Sequence, residues 1–239
     1  MQVSTRALVF SSLKYAEADL IVTCLTEDFG LKSYLIRGVL KSKKGKLRTS
    51  LFQPLTLLQL EAFHKDKGTL ERIREAKVLM PYQTLHTDVV KSSMVLFLAE
   101  MLKNSIQEEE TNGNLFEYIV SALQWLDMHD EVANFHIHFL LKLTTYLGFY
   151  PDTSEVHLPY FNLLEGNFER KPLGDHCESG ESVEALKRFF GINFDALPQT
   201  KTTKKERLGS LNLLLLYYQL HLQGYKNPKS LLVLNQLFN

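Results

Sequence analysis

Along the first 80 residues, apolar side chains recur at roughly every second position in short runs. Beyond Met80-Pro81 the spacing lengthens to between three and four. The alternating part holds five segments, residues 6–10, 19–26, 31–39, 55–63 and 69–77, rich in Val, Ile, Leu, Thr and aromatics. That period and composition predict β-strands. Turn signals separate them: Glu27-Asp28-Phe29-Gly30, the 42–45 loop, Gln53-Pro54 and Lys65-Asp66-Lys67-Gly68, the last spaced as a short hairpin loop whose glycine supplies a positive φ. Five short antiparallel strands in so short a stretch predict a small closed barrel, because an open sheet would leave long unpaired edges. An SH3-like barrel satisfies the same strand count.

The longer period predicts helices. Val90, Met94, Phe97, Met101 and Ile106 share one helical face; Phe116, Ile119, Val120, Leu123 and Leu126 share a second. Val132, Phe135, Phe139, Leu143 and Leu147 form a third stripe that stops at Gly148, with Pro151 beyond. Residues 151–181 scatter Pro, Gly, Asp and Ser without a period and read as loop. Thr203-Lys204-Lys205-Glu206 has the form of a capping box before the stripe Leu208, Leu211, Leu215, Tyr218 and Leu222, which Gly224 ends. Asn227-Pro228 predicts a cap and first-turn proline for a last short helix carrying Leu231 and Leu234. The fold class expected is α+β: a β domain over residues 1–80 and a helical bundle over 81–239.

Composition narrows the class. The chain has 239 residues, 45% of them hydrophobic, with 12 Gly and 2 Cys, which excludes collagen-like, disulfide-stapled and disordered chains. No basic stretch followed by an apolar core opens the chain, and no apolar run approaches the length of a membrane span. Cys24 and Cys177 form no spaced framework and are expected as reduced thiols. A soluble, cytoplasmic protein is the expectation.

The formal net charge of zero, 27 basic against 27 acidic residues, conceals a division. Residues 1–80 carry 14 basic and 8 acidic side chains, residues 81–200 carry 7 and 18, and residues 201–239 carry 6 and 1. Between residues 29 and 60 there are seven cations, Lys32, Arg37, Lys41, Lys43, Lys44, Lys46 and Arg48, and no acid. Like charges at that density repel unless a polyanion screens them, and the phosphates of a nucleic acid bind such a track by releasing condensed counterions. Arg37 through Arg48 would then be a phosphate-binding loop, with its glycines and serine letting it follow a flexible strand. A solvated surface loop or a nuclear-import signal has the same composition. Tyr34, beside Lys32 on one strand, is the expected base-stacking residue, while Phe10, Phe29 and Phe63 are assigned to packing.

Catalytic and metal chemistry find little support. Nucleotide-binding glycine loops, nucleophile elbows and zinc-protease helices are absent from the sequence. His136 and His138 lie about 200° apart on a helix and cannot clasp one ion. His157, His176 and Cys177 lack a second cysteine, Glu108-Glu109-Glu110 diverge around a helix end, and Cys24 reads as a small buried hydrophobe. No catalytic residue, metal or cofactor is expected. Lys201, Lys204, Lys205 and Arg207 read either as a solvated helix start or as a site for an acidic, apolar peptide.

Ser4-Thr5-Arg6-Ala7-Leu8-Val9, Tyr15-Ala16-Glu17-Ala18-Asp19, Phe29-Gly30-Leu31, Arg37-Gly38 with its basic loop, and Phe52-Gln53-Pro54-Leu55 occur in one order. Phe97-Leu98-Ala99-Glu100, Tyr146-Leu147-Gly148-Phe149-Tyr150-Pro151 and Tyr217-Tyr218 follow. Over nearly the whole chain this set resembles the RecO family of DNA repair and recombination mediators. The resemblance implies an oligonucleotide-binding (OB) fold barrel of five strands ahead of a helical domain. It also implies binding of single- and double-stranded DNA, annealing of complementary strands, and cooperation with RecR to load RecA onto DNA coated by single-stranded DNA-binding protein, in a cytoplasmic, nucleoid-associated setting. The family's basic residues correspond to Arg37 by motif, and to Lys41, Lys43, Lys44, Lys46 and Arg48 by loop position. Some members carry a four-cysteine zinc site after the Leu-Gly-Phe-x-Pro segment. This chain has only Cys177 there, so a zinc-free segment packed around Tyr160, Phe161, Leu163 and Phe168 is expected. The alternative function is a protein-interaction adaptor whose helical domain is the main working part.

Overall fold

A computed structural model describes residues 1–41, 47–65, 70–106 and 110–238. The chain forms two compact units, Met1–Gln124 and Trp125–Asn239.

The first unit is built on five antiparallel strands, β1 (Gln2–Tyr15), β2 (Asp19–Thr26), β3 (Gly30–Ile36), β4 (Leu57–Phe63) and β5 (Arg72–Val78), in the order β3-β2-β1-β4-β5. The alternation seen in sequence sorts the side chains: Val3, Ala7, Val9, Leu20, Val22, Cys24, Tyr34, Ile36, Leu58, Leu60, Ala62, Ile73 and Ala76 point inward and form one core with Val39 and Phe52. Leu8 and Phe10, of β1, are buried as well. Helix α1 (Val89–Ser105) packs on β1 and donates from Lys103 Nζ to Ser11 Oγ at 3.0 Å. Asp88 caps α1 by accepting from the Lys91 amide. Arg6 is bound to Glu27 and Glu117 and lies over the Phe116 ring, which fastens the start of α2 (Gly113–Met128) to β1.

The expected closed OB-fold barrel does not form; the α+β class and the five strands do. β3 and β5 are the two edges of the sheet, and they meet at one isolated parallel bridge, Tyr34 to Glu71. Glu71 donates to Ser33 O at 2.8 Å and accepts from the Leu35 amide at 2.9 Å. β3 ends at Ile36, and Arg37-Gly38 turns back toward β2, with Gly38 at φ +69° donating its amide to Asp19 Oδ1 at 2.7 Å. A positive φ of this kind suits glycine, which has no Cβ to clash. Beyond that one bridge no backbone ladder joins β3 and β5 among the described residues. The expected hairpin loop at Asp66 to Gly68 lies outside the described residues.

The second unit holds α3 (Phe135–Leu147), a three-stranded sheet of β6 (Tyr160–Asn162), β7 (Asn167–Glu169) and β8 (Cys177–Glu178), and the helices α4 (Glu181–Lys187), α5 (Lys204–His221) and α6 (Leu231–Phe238). α3 ends at Gly148 in the left-handed region, and α5 starts with both hydrogen bonds of the Thr203/Glu206 capping box. The stretch read as loop contains the small sheet because Asn162 organises it: its Oδ1 accepts from the Leu164 and Glu165 amides at 3.1 Å, and Phe161, Leu163 and Phe168 are buried. α6 starts three residues after Pro228, so that proline precedes the helix instead of occupying its first turn. Tyr217 and Tyr218 donate to Phe149 O at 2.7 Å and Leu140 O at 2.8 Å, tying α5 to α3 and its exit.

Candidate nucleic-acid interface

Where β3 and β5 diverge, the surface opens into a cleft of about 1030 Å³. Arg37, Lys65, Arg72 and Arg74 line it together with apolar surface from Leu35, Val39, Leu47, Phe63 and Leu70. Alternation along β5 explains the arginines, since Ile73 points into the core and its neighbours Arg72 and Arg74 point out. Among the described residues the one acidic lining residue is Glu71, which is buried and whose carboxylate accepts from the Lys65 amide at 2.9 and 3.0 Å. That carboxylate thus ties Lys65 to the residue before β5. The N-terminal ammonium donates to His64 O at 2.6 Å, which fixes the wall beside Phe63. Arg37 and Arg72 have no ion-pair partner among the described residues, and Arg74 sits 3.6 Å from an exposed Glu61. Exposed pairs of the latter kind contribute about 0–1 kcal/mol, little against a phosphate competitor.

The expected site residues divide. Arg37 and Arg48 are exposed, and Arg37 lines the cleft. Lys41 is exposed and paired with Glu17 at 2.8 Å beside the β1–β2 turn. Lys43, Lys44 and Lys46 lie outside the described residues. Lys32 is half-buried on β3 opposite Cys24. Tyr34 has to be corrected as a stacking residue: it is fully buried, and its hydroxyl is hydrogen-bonded to His64 Nε2 at 2.9 Å. Burial, with Cys24 and Glu71 nearby, raises its pKa. The reason is parity, for Tyr34 opposes Val22 on the inward face, and Ser33 and Leu35 take the outward one. Phe63, assigned to packing from sequence, is 40% exposed and lines the cleft. Arg72, Arg74 and Phe63 were missed because the acids Glu71 and Glu75 dilute the charge of their segment. Their strand alternation was the available signal.

Two family models together cover most of the chain. The N-terminal model of recombination protein O matches residues 1–82, and its C-terminal model matches residues 86–231. The chain belongs to the RecO family. Among its relatives, the DNA repair protein RecO of Christiangramia forsetii is 50% identical over 238 residues, covering 100% of both chains. Those of Flavobacterium johnsoniae and Phocaeicola vulgatus are 47% and 34% identical, covering 100% and 98% of both chains.

With two cysteines in all, the chain has too few thiolates for the four-cysteine site that the resemblance raised. Cys177 Sγ lies 3.7 Å from Glu169 Oε2 and 3.5 Å from Leu173 O, and among the described residues no group of three or more His, Cys, Asp or Glu could hold a metal. His136 and His138 are buried on α3, and burial lowers their pKa values to about 3 and about 4. They are neutral packing residues near pH 7. The basic start of α5 is engaged locally: Lys205 pairs with Glu181, Glu206 with Arg188, and Arg207 donates to Thr202 O at 2.9 Å. No helix among the described residues is long and apolar enough to cross a membrane.

Proposed function

We propose that this protein is a non-enzymatic mediator of DNA repair and homologous recombination. In this reading it binds single- and double-stranded DNA, anneals complementary strands, and acts with RecR and single-stranded DNA-binding protein to help load RecA. Membership of the RecO family over nearly the whole chain carries the reading, and the cation-lined cleft gives it a physical basis.

Arg37, Lys65, Arg72 and Arg74 would meet phosphates, and Lys41, Arg48 and, outside the described residues, Lys43, Lys44 and Lys46 would add to them. Lys32 lies farther along β3 and would meet the backbone beyond the cleft. Arginine presents a planar fork that can bond two phosphate oxygens at once, whereas lysine acts as a point charge. Holding a strand by its backbone leaves its Watson–Crick edges free for a complement. A second backbone then approaches a partly neutralised first one, so the repulsion opposing annealing falls without nucleotide hydrolysis.

Counterion release fixes the test. With five or six phosphate contacts, log affinity for a single strand falls against log salt with a slope of about −3.5 to −4. The same preparation should accelerate annealing of two complementary oligonucleotides. Binding unchanged between 50 and 300 mM salt, or annealing no faster than in buffer, contradicts the reading.

A further inference from the structure

The backbone of one residue joins β3 to β5. Glu71 donates its amide to Ser33 O at 2.8 Å and accepts at its carbonyl from the Leu35 amide at 2.9 Å, and among the described residues this pair is the only rung between the two edges. The side chain of the same residue is 4% exposed, and its two carboxylate oxygens accept from the Lys65 amide at 2.9 and 3.0 Å. Tyr34, between Ser33 and Leu35, turns inward and is hydrogen-bonded to His64 Nε2 at 2.9 Å. β3 is thus held on its main chain by Glu71 and through a side chain by His64, and the Glu71 carboxylate links these two points by way of Lys65. A carboxylate is seldom buried so deeply, and this one lies in a wall lined by Arg37, Lys65, Arg72 and Arg74. Toward a phosphate its charge works against the cations. Its bonds work for them, since Arg72 follows Glu71 directly, Arg74 is two residues farther along β5, and Arg37 is two residues beyond Leu35.

We propose that Glu71 is a positioning residue of the cleft: by fixing the start of β5 against β3 and Lys65 it sets the spacing of Arg72 and Arg74 from Arg37, and so raises affinity for nucleic acid in spite of its charge. This inference rests on the reading of the cleft as a DNA site. Two effects of opposite sign compete. A phosphate in the opening feels the buried carboxylate across solvent, where salt screens it. The placing of the arginines is not screened. A guanidinium fork bonds two phosphate oxygens only at the right distance and angle, and arginines already in place need no ordering when a strand arrives. Because no second rung holds the β5 edge to β3 among the described residues, loosening this one displaces both arginines together. Geometry therefore outweighs charge at this position.

Reach and charge separate in two variants of the full chain. Glu71→Asp keeps the carboxylate but is one methylene too short for the Lys65 amide, whereas Glu71→Gln loses the charge and keeps an acceptor oxygen at the same reach. By fluorescence anisotropy on a labelled thymine oligonucleotide, Glu71→Asp should bind about tenfold more weakly than the parent and Glu71→Gln within about twofold of it. In the background of Arg72→Ala/Arg74→Ala, Glu71→Asp should alter affinity by less than about twofold, because the residue acts through those arginines. Urea unfolding followed by circular dichroism checks that each variant is folded. Tighter binding by Glu71→Gln with Glu71→Asp at the parent affinity would show that the charge governs, and an undiminished effect of Glu71→Asp without the arginines would show a merely structural role; either result overturns the proposal. Should Glu71→Asp not fold, Glu71→Gln still decides, since the charge reading requires it to bind more tightly than the parent. Failure of the DNA reading looks different, because Arg72→Ala/Arg74→Ala alone would then bind as tightly as the parent.

Discussion

Arg37, Arg72 and Arg74 in the first unit and Lys204, Lys205 and Arg207 in the second are clusters of equal formal charge, yet their surroundings differ. The first three border an open cleft in which the carboxylate of Glu71, the one acidic lining residue among the described residues, accepts from a backbone amide. In the second group, Lys205 is bound to Glu181 and Arg207 to Thr202, while Glu206 is divided between Arg188 and the capping box. A cation already bound to a neighbour has less to gain from a phosphate, so availability, not number, separates a candidate interface from a helix start. Each cluster also follows from its element. A strand edge throws alternate side chains outward with nothing opposite them, whereas the first turn of a helix gathers caps and counter-charges around itself.

The largest effect expected from breaking this contrast is on binding. Arg37→Ala/Arg72→Ala/Arg74→Ala should lower affinity for single strands and duplex alike, by about a hundredfold at moderate salt, as read by anisotropy. Retained affinity in this variant would place the working cations elsewhere, on the 42–46 loop.

Acid should act on the other unit. His136 and His138 are held neutral by burial, with Arg207 opposing the charge of the first and Lys142 that of the second, while a backbone hydrogen bond at Phe189 works the other way. Their folded pKa values, about 3 and about 4, lie below the ordinary 6.5. Above pH 6.5 neither state takes up a proton and nothing changes. Below it the unfolded chain binds protons that the folded chain refuses, so stability falls by about 2 kcal/mol per histidine on going to pH 5. The protein's one tryptophan, Trp125, is stacked 5.8 Å from Phe135 and reports unfolding of this unit by its fluorescence. His138→Gln should reduce the loss between pH 6.5 and 5 by about one histidine's share; an unchanged pH dependence would show that the site is hydrated.

A smaller change separates capping from binding. Thr203→Ala removes the hydroxyl that accepts from the Glu206 amide at 3.2 Å and should cost about 1 kcal/mol in urea unfolding, with DNA affinity unaltered. A parallel drop in affinity would mean that the start of α5 belongs to the interface.

Much of this arrangement was legible in the sequence, though unevenly. Period two and the turn residues located all five strands of the main sheet, and Gly148 and the Thr203-Lys204-Lys205-Glu206 box located helix ends, because these signals act within a few residues. Closure of the sheet depended on whether β3 and β5 pair, which is settled by the Arg37-Gly38 turn and the single rung at Glu71, contacts between residues far apart along the chain. Tyr34 shows the same limit on a smaller scale: alternation groups it with Ile36, but only the core decides which face of the strand is inside. Phe63 and the β5 arginines escaped for the complementary reason, since a cleft between two edges is assembled from segments that look ordinary one at a time. The three-stranded sheet around Asn162 was hidden by strands of two or three residues, too short to show a period.

The salt dependence of single-strand binding tests the contrast most directly when the two clusters are stripped in parallel. Arg37→Ala/Arg72→Ala/Arg74→Ala and Lys204→Ala/Lys205→Ala/Arg207→Ala remove the same charge from the chain. The account predicts that the first flattens the slope of log affinity against log salt by about 2 and that the second leaves it at the parent value. Equal flattening in both, or flattening only in the second, would contradict it.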